Sequence, residues 1–95
     1  MELSDYRQEI DQLDSRLLAL FLERMELVGG IAAWKQKHGM PVLDRERERE
    51  KLDALSAQSP EELREYAAEL FSAIMELSRS YQKKLLDSDS QEKDV

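Results

Sequence analysis

Cationic side chains interrupt the apolar pattern of the N-terminal segment. Arg24 lies between Leu20 and Leu27 in a series of apolar residues that are spaced alternately by three and four positions. Burying an unpaired guanidinium is costly, so Arg24 needs a partner or an anionic ligand. Lys35 follows 11 residues later, which in a helix is nearly three full turns and roughly 16 Å along the axis. Both side chains would therefore face one side, with room between them for a small anion.

Other polar residues are candidates for the same site. Ser78 and Gln82 are four residues apart and extend the apolar stripe of a later helix with neutral hydrogen-bonding groups. The remaining candidates are a cation near the N-terminus and three charged residues in the middle of the chain: Arg7, Asp44, Arg47 and Glu48. The three cations Arg7, Arg24 and Lys35, combined with a serine, a glutamine and a carboxylate, suit a small ligand that carries carboxylates and a hydroxyl.

Arg7 cannot reach Arg24 within one straight helix. The two residues would be roughly 25 Å apart along the axis, and their side chains would point about 100° apart. A second copy of the helix, running antiparallel, could bring them together.

Each candidate also has a purely structural interpretation. Arg24 could set the register of a coiled coil by pairing with a glutamate, and Lys35 could be a solvated lysine. The others could be surface charge, a helix cap or groups that satisfy hydrogen bonds within the packing: Arg7, Asp44, the charged run 45–51, Ser78 and Gln82. Their coincidence at these spacings favours a ligand site.

The apolar periodicity predicts an all-α chain of three helices. The first is very long: it is capped by Ser4, ends at the run 38–41, and has about 34 residues over roughly 50 Å. Its apolar seam stays in phase across Gly29 and Gly30, which predicts a continuous helix with close packing at the glycines. Such a helix is too long for a compact monomer of this size and needs a partner.

Two shorter helices follow. The second begins near Asp44 and has only a narrow apolar stripe, so it depends on packing for its stability. The third begins with a capping box in the run Ser59 to Glu62 and ends near Leu86. Residues 87–95 are polar and have nothing to bury, so we expect one domain over residues 1–86 and a disordered acidic tail.

The composition argues against several classes of function. The chain of 95 residues has 21 Asp and Glu against 14 Lys and Arg, a net charge of 14 − 21 = −7, which opposes general nucleic-acid binding. It has no apolar run of about 18 residues to span a membrane. The N-terminus lacks the features of a signal peptide, so we expect a cytoplasmic protein. With no cysteine and one histidine, we expect no disulfide or thiolate chemistry, no zinc site and no Ser-His-Asp triad.

Taken together, these residues resemble the all-helical class of chorismate mutases, which convert chorismate to prephenate in phenylalanine and tyrosine biosynthesis. The resemblance covers residues 3–86 and is carried by Arg7, the runs 10–14 and 17–20, Glu23, Arg24, Gly30, Lys35, Pro41, Val42, the segment 44–49, Ser78 and Gln82. It implies an intertwined homodimer with two equivalent sites, in which the long first helices span both halves and Arg7 is contributed in trans.

The resemblance also implies roles for the site residues. Arg24 of one subunit and Arg7 of the other would hold the two carboxylates of chorismate. Lys35 would contact a carboxylate and the ether oxygen, and Gln82 would contact the same ether oxygen. The others would hold the ring hydroxyl (Glu48 and Asp44), assist a carboxylate (Ser78) and support the site electrostatically (Arg47). The implied catalytic set is Arg24, Lys35, Glu48 and Gln82, and the reaction needs no metal or cofactor.

Two other functions are compatible with the sequence. An isochorismate pyruvate lyase of the same fold would also use cations to hold a related dianion, although Glu48 and Ser78 favour the mutase. A non-catalytic helical dimerisation module would use Arg24 and Lys35 only for structure.

Overall fold

The computed structural model describes residues 1–93, which form three α-helices and a short 3₁₀ helix. These elements are α1 (Leu3–Lys37), α2 (Arg45–Gln58), the 3₁₀ helix (Glu61–Leu63) and α3 (Arg64–Lys93). No strand occurs in this described range, so the prediction of an all-α chain with one very long N-terminal helix is confirmed. None of these helices is long and apolar enough to cross a membrane.

The long first helix makes the single chain strongly elongated. Its extents are 59 × 28 × 15 Å and its radius of gyration is 17.2 Å, whereas a compact domain of this length would have a radius of gyration of about 12 Å. Every residue of α1 from 3 to 20 is exposed. The N-terminal half of α1 therefore has little of its own chain to pack against.

Two different faces of α1 carry apolar residues. Val28 and Ala32 lie on the face that packs against α3, and both are buried. The seam predicted from the sequence lies on another face, where Leu20 is 62% and Leu27 is 67% exposed. Large contiguous apolar surfaces on soluble proteins commonly mark interaction sites. The seam is thus available to a partner rather than used in the core of one chain.

The helix α1 is continuous through its two adjacent glycines, as predicted. A Cβ at Gly29 would lie 3.8 Å from Leu85 Cδ1 and 4.0 Å from Tyr81 Cε2, which are ordinary contact distances. A Cβ at Gly30 would have no described atom within 4 Å. The expected close packing at these glycines is therefore wrong within one chain, because a methyl group fits at both. Gly39 has φ of +66°, and its left-handed conformation supports the predicted end of the helix.

The predicted N-caps of α1 and α3 differ from those observed. The α1 helix is capped at Glu2 rather than Ser4, because the Glu2 backbone N–H donates to the Asp5 carboxylate at 2.8 Å. Ser59 does not form a capping box, since its hydroxyl donates to the Leu55 carbonyl at 2.8 Å and ends α2 instead. The chain therefore passes through the 3₁₀ helix before α3 begins.

The third helix is longer than predicted. It continues from Leu86 to Lys93, so the predicted end near Leu86 is wrong. The residues from 87 to 93 include no glycine or proline, and nothing in their backbone chemistry stops a helix that is already formed. Residues 94 and 95 lie outside the described residues. The division into a domain of residues 1–86 and a separate tail stays a prediction.

The second helix joins the rest of the chain through α3. It has no buried residue, and its contacts are with α3 rather than with α1. Asp44 caps it as predicted, since its carboxylate accepts a hydrogen bond from the Arg47 backbone N–H at 3.0 Å. Because α1 and α2 both pack on α3, the middle of α3 lies between them.

Candidate active site

A cavity of about 190 Å³ lies where α1, α2 and α3 meet. Its walls come from the C-terminal half of α1, the connection to α2, the first turns of α2 and the middle of α3. Seven of the eight residues predicted for the site line it: Arg24, Lys35, Asp44, Arg47, Glu48, Ser78 and Gln82. Within the described residues no group of acidic, histidine or cysteine side chains could hold a metal ion.

Arg24 and Lys35 lie on one side of α1, as their spacing predicted. Both line the cavity, and Val28 and Ile31 form the apolar wall between them. This arrangement follows from the pitch of a straight helix, in which positions 11 residues apart nearly coincide in direction. The two cations therefore face the same cavity, and the wall between them is apolar.

Arg24 makes a hydrogen bond to a neutral group rather than to a carboxylate. Its Nη1 donates to Ser78 Oγ at 2.6 Å, and Ser78 Oγ donates to the Ile74 carbonyl at 2.8 Å. Within the part of the chain that the structure describes, Arg24 has no ion-pair partner. A half-buried guanidinium whose charge is not paired favours an anion in the cavity.

Lys35 is also held by a neutral acceptor. Its Nζ donates to the Val42 carbonyl at 2.9 Å, which links the end of α1 to the connection before α2. An ammonium group has three donors, so two remain for a ligand in the cavity. No carboxylate pairs with Lys35 among the residues described.

Gln82 places a neutral amide in the cavity wall. The residue is only 6% exposed, and its Oε1 is buried without a hydrogen-bond partner in the described part of the chain. Buried polar atoms are normally paired, so this amide is poised for a partner that the ligand or solvent supplies. A 180° rotation of the amide exchanges its oxygen with its NH₂ group, so the same side chain can accept or donate there.

Two charged cavity residues were not predicted from the sequence. Arg79 on α3 forms an ion pair with Glu48 of α2, and Lys51 lines the cavity one turn after Arg47. Helical spacing contains the signal for both, because Arg79 lies three residues before Gln82 and Lys51 lies three residues after Glu48. Within the run 45–51, the sequence pattern indicates only Arg47 and Glu48 as site residues.

Arg7 is the one predicted site residue that the single chain does not bring to the cavity. It is exposed, in the N-terminal part of α1, and does not line the cavity. This agrees with the length argument, in which Arg7 and Arg24 are too far apart along one helix to meet. Within one chain, Arg7 therefore does not reach this cavity.

The cavity is cationic although the chain is acidic. Five cationic residues line it, Arg24, Lys35, Arg47, Lys51 and Arg79, with two acidic ones, Asp44 and Glu48, so the lining has a charge of 5 − 2 = +3. The whole chain has a charge of −7. A cationic cleft in an acidic protein concentrates small anions rather than nucleic acid.

The chain is similar in sequence to proteins of known function. The sequence profile of the family described as "Chorismate mutase type II" matches residues 6–83. The chain is 28% identical to the chorismate mutase of Methanocaldococcus jannaschii, over 90% of this chain and 89% of that protein. It is 37% identical to the bifunctional chorismate mutase/prephenate dehydratase of Buchnera aphidicola subsp. Schizaphis graminum, over 90% of this chain and 23% of that protein.

A shorter match involves a third relative. The chain is 48% identical to the T-protein of Haemophilus influenzae over 46 residues, which are 48% of this chain and 12% of that protein. The chain thus spans less than a quarter of the length of the T-protein and of the bifunctional enzyme.

Proposed function

Because the chain belongs to the chorismate mutase type II family, we propose that it rearranges chorismate to prephenate in the biosynthesis of phenylalanine and tyrosine. The observation that carries the proposal is the set of groups around one cavity. Two cations, Arg24 and Lys35, have no carboxylate partner among the described residues, and the neutral amide of Gln82 lies beside them. This set fits a dianion with an ether oxygen. The cytoplasmic location expected from the N-terminus stays a prediction.

The proposed reaction is a concerted [3,3] shift. The ether C–O bond breaks while a C–C bond forms within the same molecule, so no nucleophile, proton transfer or cofactor is needed. Negative charge develops on the ether oxygen, and Lys35 and Gln82 would stabilise that charge more strongly in the transition state than in the bound substrate. Arg24, assisted by Ser78, would hold a carboxylate and thereby fix the enolpyruvyl arm over the ring.

The charged residues of α2 would complete the substrate contacts. Glu48 and Asp44 lie in the cavity wall, where they would accept a hydrogen bond from the ring hydroxyl. Arg47 would add positive charge to the same wall. These roles rest on the resemblance to the family, and the shared lining of one cavity supports them.

The active form would be an antiparallel homodimer. The exposed seam of α1 supports this, as does an apolar groove of about 560 Å³ between α1 and α3, lined by residues such as Leu17, Phe21 and Leu70. A second α1 lying on these surfaces would bury them and could bring its own Arg7 to the cavity. Arg7 from the partner would then hold the second carboxylate of chorismate.

A product assay with two substrates tests the activity. The purified chain is supplied separately with chorismate and with isochorismate, and the products are identified by chromatography and mass spectrometry. We expect prephenate from chorismate. Pyruvate from isochorismate with no prephenate from chorismate would indicate the lyase, and no turnover of either substrate would favour a dimerisation module.

Replacing the buried amide with a carboxyl should make the reaction depend on pH. Gln82→Glu is expected to lower kcat/KM at pH 7.5 by about 10²-fold, because an ionised carboxylate would repel the developing charge on the ether oxygen. The introduced carboxyl can donate only when it is protonated. Burial raises its pKa and the cations of the cavity lower it, so activity should rise progressively as the pH falls from 7.5 to 5. The measurement is the pH profile of kcat/KM beside that of the wild type.

The matched control is Gln82→Leu, which has a similar volume and cannot donate at any pH. It should be slow over the whole range. A Gln82→Glu variant with a wild-type pH profile would contradict a role for Gln82 at the ether oxygen.

A further inference from the structure

The ion pair between Arg79 and Glu48 bridges two helices at the cavity. It is the only ion pair in the described part of the chain. The Arg79 guanidinium donates through Nη1 to Glu48 Oε1, and the two side chains are 27% and 25% exposed. Partly buried pairs are screened less by solvent than surface pairs, which are worth little. This contact therefore has more influence on local geometry than an ordinary surface salt bridge.

The position of Glu48 depends on few other contacts. It lies in the first turn of α2, a helix without a buried residue. Arg79 lies on α3 beside Ser78 and three residues before Gln82, both of which are buried in the cavity wall. The ion pair thus ties a carboxylate on a lightly packed helix to the most buried part of the site.

The pair leaves part of the carboxylate free for a ligand. Oε1 of Glu48 accepts from Arg79, while Oε2 has no hydrogen-bond partner among the described residues. A guanidinium is a planar and rigid donor, so it restricts the rotation of the carboxylate that it binds. Both residues line the cavity.

We propose that Arg79 is a positioning residue, which holds the Glu48 carboxylate so that its second oxygen accepts a hydrogen bond from the ring hydroxyl of the substrate. This inference rests on the proposed function. Arg79 would contact Glu48 and not the substrate, whereas Arg24 and Lys35 would contact the substrate directly. A misplaced carboxylate would hold the ring less firmly, and small displacements of positioning groups can slow a reaction considerably.

The test compares Arg79→Gln with Arg49→Gln. Arg49 is an exposed arginine on α2 outside the cavity lining, so this control removes the same charge from the same region. We expect Arg79→Gln to lower kcat/KM for chorismate by about 10-fold, a size typical of coupled neighbours. Arg79→Lys should lose less, because it keeps the positive charge but not the rigid planar donor. Arg49→Gln should behave as the wild type.

A double-mutant cycle separates action through Glu48 from direct binding. In a Glu48→Gln background, Arg79→Gln should change kcat/KM by less than about 2-fold, because the carboxylate that Arg79 positions is already absent. An equal 10-fold loss in both backgrounds would identify Arg79 as a direct anion ligand and overturn the proposal. Increased activity of Arg79→Gln would also overturn it, by showing that Arg79 competes with the substrate for Glu48.

A substrate analogue separates positioning from a merely structural role. With a chorismate analogue whose ring hydroxyl is replaced by hydrogen, Arg79→Gln and the wild type should react at equal rates. A structural role would lower both substrates' rates alike. A wild type that does not convert chorismate would overturn the proposed function and this inference together, whereas an active wild type with unchanged Arg79→Gln would overturn this inference alone.

Discussion

Lys35→Ala is expected to lower kcat/KM for chorismate by about 10²- to 10³-fold, or ~3–4 kcal/mol of transition-state stabilisation, the value of one preorganised donor. The ammonium group lines the cavity and is held there by the Val42 carbonyl at 2.9 Å. It therefore needs little reorganisation when negative charge develops on the ether oxygen. Steady-state kinetics that follow the loss of chorismate would measure the effect.

The fold should tolerate this change. Lys35 is only partly buried and, among the described residues, makes a single hydrogen bond, to the connection before α2. We therefore expect the thermal midpoint to fall by about 4–8 °C, as for the loss of about 1 kcal/mol in a domain of this length. Lys37→Ala is the matched control, because Lys37 is exposed in the last turn of the same helix. Near-normal turnover of Lys35→Ala would contradict its assignment to the ether oxygen.

The part of the site on one helix could be predicted from the sequence. Arg24 and Lys35 share a face because their separation is close to a whole number of helical turns, and the structure places both at one cavity. The same helix geometry predicts that Arg7 lies too far along α1 to reach Arg24 within one chain. Such statements need only the geometry of a single helix, which depends little on the rest of the fold.

Contacts between helices could not be predicted in the same way. The pairing of Arg79 with Glu48 depends on how α2 lies on α3, and the sequence offers several arginines to each glutamate of the run 45–51. The hydroxyl of Ser59 had two available partners, and the choice of the Leu55 carbonyl over a cap for α3 depends on the path of the connection. In each case competing local options differ by only about 1 kcal/mol, and the tertiary arrangement decides between them.

The apolar pattern of α1 does not predict which of its faces is buried within one chain. The sequence identified one seam, yet α3 packs against Val28 and Ala32 while Leu20 and Leu27 remain exposed. Periodicity locates an apolar face but does not say whether its own chain or a partner covers it. A helix with apolar residues on two faces is stabilised when both faces are buried. Within the single chain, α3 buries the face of Val28 and Ala32, and the face of Leu20 and Leu27 stays exposed.

Mixing two inactive variants should restore activity if each site draws residues from both subunits. Arg7→Ala and Lys35→Ala homodimers would each lack a substrate contact at both sites. A mixed dimer would have one site with Lys35 from one chain and Arg7 from its partner, both intact. With equal amounts and complete subunit exchange, about a quarter of all sites would be intact, because half of the dimers are mixed and each has one complete site.

The matched control is a mixture of Arg24→Ala and Lys35→Ala. Arg24 and Lys35 line the same cavity of one chain, so every site in the mixed dimer would lack one of them and no activity should return. Subunit exchange is verified by native mass spectrometry of chains with different isotope labels, and activity is measured with chorismate. If verified mixed dimers of Arg7→Ala and Lys35→Ala stayed inactive, Arg7 would not act across the subunit boundary, because only a contribution in trans produces one complete site per mixed dimer.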